Sequence, residues 1–125
     1  QITNISSLGA ATAIDAIAEH IADEPDLVAY RGIAIEDQNL CWLDVHHTNG
    51  SKGGAVTSLK HELGAKRVIC FGDSDNDLSM FALADEAYAP ENAKPEVKAA
   101  ATTVIGHHDE DGIARFLRQR FNLEL

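Results

Sequence analysis

The sequence is short of positive charge: Lys and Arg number 10 against 20 Asp and Glu, a formal net charge of −10. That balance opposes non-specific attraction to nucleic acid or to an anionic membrane surface, so neither is expected as a partner. A phosphate-bearing ligand would need locally placed cations or a metal. No apolar run approaches the ~20 residues that span a bilayer, and Gln1-Ile-Thr-Asn4 lacks the basic start and apolar core of a signal peptide. A cytoplasmic location is expected. The two cysteines, Cys41 and Cys70, lie far apart without CxxC spacing, which excludes a disulfide framework and a zinc ribbon and leaves buried thiols. Internal repeats, low-complexity tracts and Gly/Ser-rich linkers are missing too. So is an initiator Met, and the opening on Ile2-Thr-Asn-Ile-Ser-Ser-Leu8 suggests a chain cut from something longer.

What is present is enough apolar content, 45% over 125 residues, for one domain or parts of two. The most informative stretch is Val68-Ile-Cys-Phe-Gly-Asp-Ser-Asp-Asn-Asp77, an apolar run broken at Gly72 and followed by three carboxylates and an amide. Asp73, Asp75 and Asp77 repel one another in a short loop unless a cation or well-placed donors offset the charge, which points to a hard, oxygen-liganded ion, Mg²⁺ or Ca²⁺. The first three acids fit an EF-hand loop. The fit then fails, because Leu78 stands where that loop needs Gly and Ala84 where it needs a bidentate Glu. Leu78, Phe81 and Ala82 instead recur at helical spacing, so the segment reads as strand, loop and helix start, with the acids at a strand's carboxyl end.

Elsewhere the pattern predicts a strand over Ile2–Leu8 ended by Gly9. A helix follows from Ala10 to about Ala22 with Ile14, Ile17, Ala18 and Ile21 on one face. Three short strands follow at 27–30, 32–35 and 40–45, and His46-His-Thr-Asn-Gly50 is expected as a loop. Ser51 is placed to cap a helix whose apolar face is Val56, Leu59 and Leu63 and which Gly64 closes. Further along, strands are expected at 67–71, 86–89 and 102–105, and helices at about 75–84 and 95–101, the latter opened by Pro95. The last helix is marked by Asp109, Glu110 and Asp111 before it, by Arg118 and Arg120 at its end, and by a stripe of Ile113, Phe116, Leu117 and Phe121. Repeating strand–helix units imply a parallel sheet and an α/β fold.

Lys52 stands in the first turn of its helix, where the partial positive charge of the N-terminus opposes it unless an anion is near. A first-turn lysine, a long gap and a strand–loop–helix bearing carboxylates suit phosphoryl chemistry: carboxylates hold a metal and the lysine offsets charge on the transferring group. The pairs His46-His47 and His107-His108 invite a zinc site, but no Cys or acid is seen to complete a set at ligand spacing, and they read as loop histidines.

Four segments, Ser51-Lys-Gly-Gly-Ala-Val56, Val68 to Met80, Glu91-Asn-Ala-Lys-Pro-Glu-Val-Lys98 and Asp109-Glu-Asp-Gly-Ile-Ala114, together resemble the C-terminal half of a haloacid dehalogenase (HAD) superfamily phosphatase of the Cof-like subfamily with a C2 cap. The resemblance covers Ser51 to about Leu117. It implies a partial Rossmann-like core at residues 50–125, preceded at 1–49 by the last part of an α/β cap. It further implies that Lys52 stabilises a phosphorylated aspartate, that Asp73 ligates Mg²⁺, and that Asp77 supports the metal or its waters. Asn76 would orient the loop, and Asn92 would stand near the phosphate. Asp75 matches a variable position and takes no metal role.

The family's DxDGT-like motif, which carries its nucleophile and its acid/base aspartate, is absent from this chain, and so is the Ser/Thr motif that follows it. Asp44-Val-His46 and Asp109-Glu-Asp-Gly112 are the nearest acid pairs, and neither has the required context. The expectation is therefore a chain inactive alone, belonging to a Mg²⁺-dependent phosphomonoesterase of small phosphorylated metabolites such as sugar phosphates. The alternatives are a non-catalytic metal-binding or interaction fragment and a fragment with no function of its own. A parallel sheet lacking its first strands would expose an edge and an apolar face, so a complementing N-terminal half or a homodimer is expected to cover it.

Overall fold

Alternation along Leu40-Cys-Trp-Leu-Asp-Val45 organises the first part of the chain: Cys41, Leu43 and Val45 are buried, while the residues between them are more exposed. The computed structural model, which describes residues 3–123, divides into two compact units between Ser51 and Lys52. The first holds β1 (Asn4–Ala10), α1 (Ala11–Ala22), β2 (Leu27–Ile33) and β3 (Leu40–His47), in an antiparallel sheet of order β1-β3-β2. One sheet face packs Cys41, Leu43 and Val45 against Ile14 of α1, with Ala18, Ile21 and Ala29 around them. Leu43 is 1% exposed, and burying a side chain of that size contributes about 1.5–3 kcal/mol.

Several expectations change here. The runs at 27–30 and 32–35 are a single strand through Arg31, because unbroken pairing with β3 from Leu27↔His47 to Ile33↔Cys41 carries it across the polar residue. Ile35 lies beyond it, almost fully exposed. His46 and His47 belong to β3 rather than to a loop, since they face Asn4 and Val28, and Leu27, across the two pairings. Gly9 does not end β1, which runs to Ala10; the predicted start of that strand at Ile2 lies outside the described residues.

The second unit holds α2 (Lys52–Leu63), β4 (Ile69–Phe71), α3 (Leu78–Phe81), β5 (Glu86–Pro90), α4 (Pro95–Ala100), β6 (Thr103–Ile105) and α5 (Gly112–Phe121). Its strands pair in parallel in the order β4-β5-β6, as the alternating units predict. One face buries Cys70, Ala87 and Ala89 against Phe81, Ala93 and Val97. On the other face Phe71, Tyr88 and Phe116 meet ring to ring, with centroids 4.2 Å apart for the Tyr88–Phe116 pair.

Gly64 closes α2 as expected: at φ +61 it lets Ala65 donate to the Lys60 carbonyl (3.0 Å) and its own N–H reach His61 (3.2 Å), a left-handed cap with both return bonds. Leu59 and Leu63, however, are exposed, and the buried residue of α2 is Gly53. The helix meets α3 through its first turn, and no described apolar element covers its later turns. The strand expected from Arg67 begins only at Ile69, because Val68 is taken up by Asp85, whose carboxylate accepts the Val68 N–H (2.8 Å). The helix expected over 75–84 is a 3₁₀ turn (Asp75–Asp77) running into the short α3. Pro90, expected in a loop, ends β5, where its missing N–H is harmless. In α5 only Phe116 and Leu117 of the predicted stripe are half-buried; Ile113 and Phe121 are exposed. The acids before it form a 3₁₀ turn (His108–Glu110) and a left-handed Asp111 that makes no side-chain cap.

Candidate active site

Parallel strands deliver their following loops to one edge of a sheet. The loops after β4, β5 and β6, together with the start of α2, line a cavity of about 480 Å³ bounded by Lys52, Asp73, Asp77, Asn92 and His108, with Phe71, Met80 and Ile113 among its apolar walls. That volume is in the range of small-molecule sites.

Asp77 anchors the arrangement. It is 3% exposed, and its Oδ2 accepts the amides of Asp73 (2.9 Å) and Ser74 (3.1 Å). Its Oδ1 pairs with Lys52 Nζ at 2.5 Å. Burial pushes the Asp77 carboxyl up, but the Lys52 hydrogen bond, the two amides and the lysine charge outweigh it and hold the group below its ordinary value. Gly72 makes this possible, since a Cβ there would lie 2.4 Å from Asp77 Cβ. Beneath it the thiol of Cys70 is pushed up, chiefly by burial and then by the Asp77 charge.

Lys52 finds in Asp77 the anion that its first-turn position demanded. It reaches that partner because α2 rides close on α3: the Gly53 N–H donates to Ser79 Oγ (3.0 Å), and a Cβ on Gly53 would lie 2.5 Å from the Ser79 carbonyl. Lys52 Nζ also donates to Asn76 Oδ1 at 3.4 Å. Asp73 differs from Asp77 in being exposed, and its carboxylate is unpaired among the described residues. Asp75 points elsewhere and pairs with Lys94 (2.5 Å), whose backbone N–H donates to the Asp73 carbonyl (3.1 Å), so the loops after β4 and β5 are tied twice. Asn92 Oδ1 accepts the His108 N–H (3.2 Å), which ties the loop after β5 to the one after β6.

Four of the five residues singled out from the sequence thus line one cavity, and Asn76 stands behind Lys52. Residues that sequence reasoning did not bring to the site are His108, Ile113 and Met80; a strand-end position after β6 was the available signal for His108. One reading is corrected. The pair His107-His108 does have an acid beside it, because the 3₁₀ turn folds Asp109 back so that its carboxylate stands 3.1 Å from His108 Nδ1 and 3.7 Å from His107 Nδ1.

No helix among the described residues is long and apolar enough to cross a membrane. Among known proteins, the sequence profile of the haloacid dehalogenase-like hydrolases matches residues 1–117. The phosphoglycolate phosphatase of Sulfurisphaera tokodaii is 45% identical over 75 residues, 59% of this chain and 33% of that protein. The 5-amino-6-(5-phospho-D-ribitylamino)uracil phosphatase YwtE of Bacillus subtilis is 38% identical over 79 residues, 62% of this chain and 28% of that one. The chain spans about a third of the length of these curated relatives. Among solved structures, a haloacid dehalogenase-like hydrolase from Bacteroides thetaiotaomicron superposes with a TM-score of 0.76 at 25% identity, over 97% of this chain and 45% of that one. A sugar phosphatase of HAD subclass IIB does so with a TM-score of 0.70 at 26% identity, over 87% and 40%.

Proposed function

The chain belongs to the haloacid dehalogenase-like hydrolases, and from that premise we propose that it carries the lysine and metal-binding half of a Mg²⁺-dependent phosphomonoesterase centre for small phosphorylated metabolites, sugar phosphates among them. The observation that carries this reading is the ion pair between half-exposed Lys52 and buried Asp77 beside the unpaired carboxylate of Asp73, in one cavity at the carboxyl ends of parallel strands. The first unit, with its sequence-based limit near Asn49, is read as part of the cap. The remaining strands and the nucleophilic aspartate come, in this reading, from a segment outside these 125 residues or from a partner chain.

The donor set fits a hard cation in part. Asp73 offers free carboxylate oxygens, the ligand type Mg²⁺ takes, whereas both oxygens of Asp77 are engaged by Lys52 and the loop amides. Asp73 is therefore the direct ligand and Asp77 the residue that holds it in place. Bound there, the cation would polarise a phosphoryl oxygen and offset developing negative charge.

Lys52 has a third N–H beyond those given to Asp77 and Asn76, available to a phosphoryl oxygen. The Asp77 charge keeps that ammonium directed into the cavity. Asn92, with its carbonyl oxygen spent on the His108 amide, has its NH₂ left to donate to an anion. Asn76 fixes the lysine from the other side. None of these groups attacks phosphorus, and the aspartyl-phosphate expected of the family needs a carboxylate that this chain does not supply.

Phosphate release from a panel of small phosphate monoesters, with and without Mg²⁺, checks the proposal. The 125-residue chain is expected to show no turnover, and turnover is expected to appear when a DxDGT-bearing segment is supplied, then to vanish in Asp73→Ala. Mg²⁺-dependent turnover by the chain alone that Asp73→Ala abolishes would overturn the division of labour.

A further inference from the structure

His108, which lines the same cavity, converges with His107 and Asp109 in the turn after β6. The Nδ1 atoms of His107 and His108 stand 3.7 and 3.1 Å from the two carboxylate oxygens of Asp109, and the ring centroids are 4.6 Å apart. Ligand atoms of all three residues lie within 4.8 Å of one another, and among the described residues no other three His, Cys, Asp or Glu side chains come together this way. A tetrahedral site with bonds of 2.0–2.2 Å requires ligand atoms about 3.3–3.6 Å apart. Each histidine nitrogen stands within a few tenths of an ångström of that range from its own Asp109 oxygen.

The Asp109 N–H donates to His107 Nδ1 at 3.2 Å, which marks that ring nitrogen as an acceptor and so as the atom a metal would take. All three side chains are partly or largely exposed to solvent, which leaves coordination positions for water. Nitrogen donors from two imidazoles are a poor match for Mg²⁺ and a good one for zinc, nickel or copper.

We propose that His107, His108 and Asp109 form a second metal site, selective for a borderline divalent ion of the zinc class. Its ligands are Nδ1 of both histidines, a carboxylate oxygen of Asp109 and water. It does not depend on the phosphatase reading, because none of its ligands is shared with Asp73 or Asp77. Binding replaces the Asp109 N–H to His107 hydrogen bond and the direct His108–Asp109 contact.

Titration of the full chain with Zn²⁺ against a chromophoric chelator, in millimolar Mg²⁺, tests this. One zinc per chain is expected, with a dissociation constant on the order of micromolar. His107→Ala and His108→Ala should each weaken it at least about tenfold, since outer-shell changes alone cost that much. His61→Ala, on exposed α2, should leave it unchanged. Because an alanine variant can perturb the turn, the ring-proton signals of the unmodified chain give a second readout, and those of His107 and His108 should move with zinc. Absence of saturable binding below about 100 µM, binding that survives both alanine substitutions, or zinc-dependent shifts confined to the other histidines would each overturn the proposal.

Discussion

The two units solve the same problem in different ways. The first holds its sheet to its helix with apolar side chains alone: Ile14, Cys41, Leu43 and Val45 interdigitate, and its charged residues, such as the Arg31–Asp15 pair, stay at the surface. The second has a comparable apolar layer, yet the residue that fixes its cavity is a buried charge with every oxygen committed. An apolar core tolerates repacking, because dispersion and burial are non-directional. A buried carboxylate does not, since losing one partner leaves the others unsatisfied in a poorly solvating place. The price of placing chemistry at a strand end is a unit whose order depends on a few directional bonds.

That contrast can be broken by substitution. The largest effect is expected from Asp77→Ala, which leaves two loop amides without their acceptor at about 1–3 kcal/mol each, read as lost amide-exchange protection in β4 and β5. Protection unchanged there would mean that the loop does not depend on its buried charge. Leu43→Ala should cost about 2–5 kcal/mol in the first unit through the cavity it leaves, measured by urea denaturation followed at Trp42. Next comes Gly72→Ala, whose added methyl meets Asp77 and should cost about 1–3 kcal/mol; no change in the denaturation midpoint would show that the loop can shift.

Acid sharpens the comparison further. Asp77 has a folded-state affinity for protons lowered from the ordinary value of 3.8, so its contribution is complete above that pH and is lost as pH falls through the lower folded value. Circular dichroism below about pH 4 should show the unmodified chain losing stability more steeply than Asp77→Asn; equal slopes would assign the acid sensitivity to other groups. Asp85, which is also lowered, chiefly by its hydrogen bond to the Val68 amide, adds in the same direction. The smallest effect is expected from Leu59→Ser and Leu63→Ser on the uncovered part of α2, within about 0.5 kcal/mol.

Local signals carried the reading of the sequence furthest. Gly64 as a helix stop and Pro95 as a helix start each depend on a few neighbouring residues, and each is found in place. The run from Val68 to Asp77 disclosed a strand, a loop and a set of acids, and Lys52 stood out because its position needed an anion. What could not be read was set by partners distant in the chain. His46 and His47 look like loop residues until both neighbouring strands pair with them. Leu59 and Leu63 keep a helical spacing that no described element meets. Asp73 and Asp77 are alike in residue type and loop position; the resemblance gave them different roles, and the fold adds that Asp73 is exposed while Asp77 is buried and engaged in holding the loop. Asp109 joins the histidines through a 3₁₀ turn, which leaves no periodic trace.

The doubly tied carboxylate of Asp77 has one more consequence. With its amides, its lysine and the glycine beneath it all committed during folding, the acidic loop has little conformational freedom left to lose when a ligand arrives. The entropy of ordering is spent before the encounter rather than during it. A ligand meeting this loop would find a rigid template, and its binding should register as a change of charge and hydration with almost no change of shape.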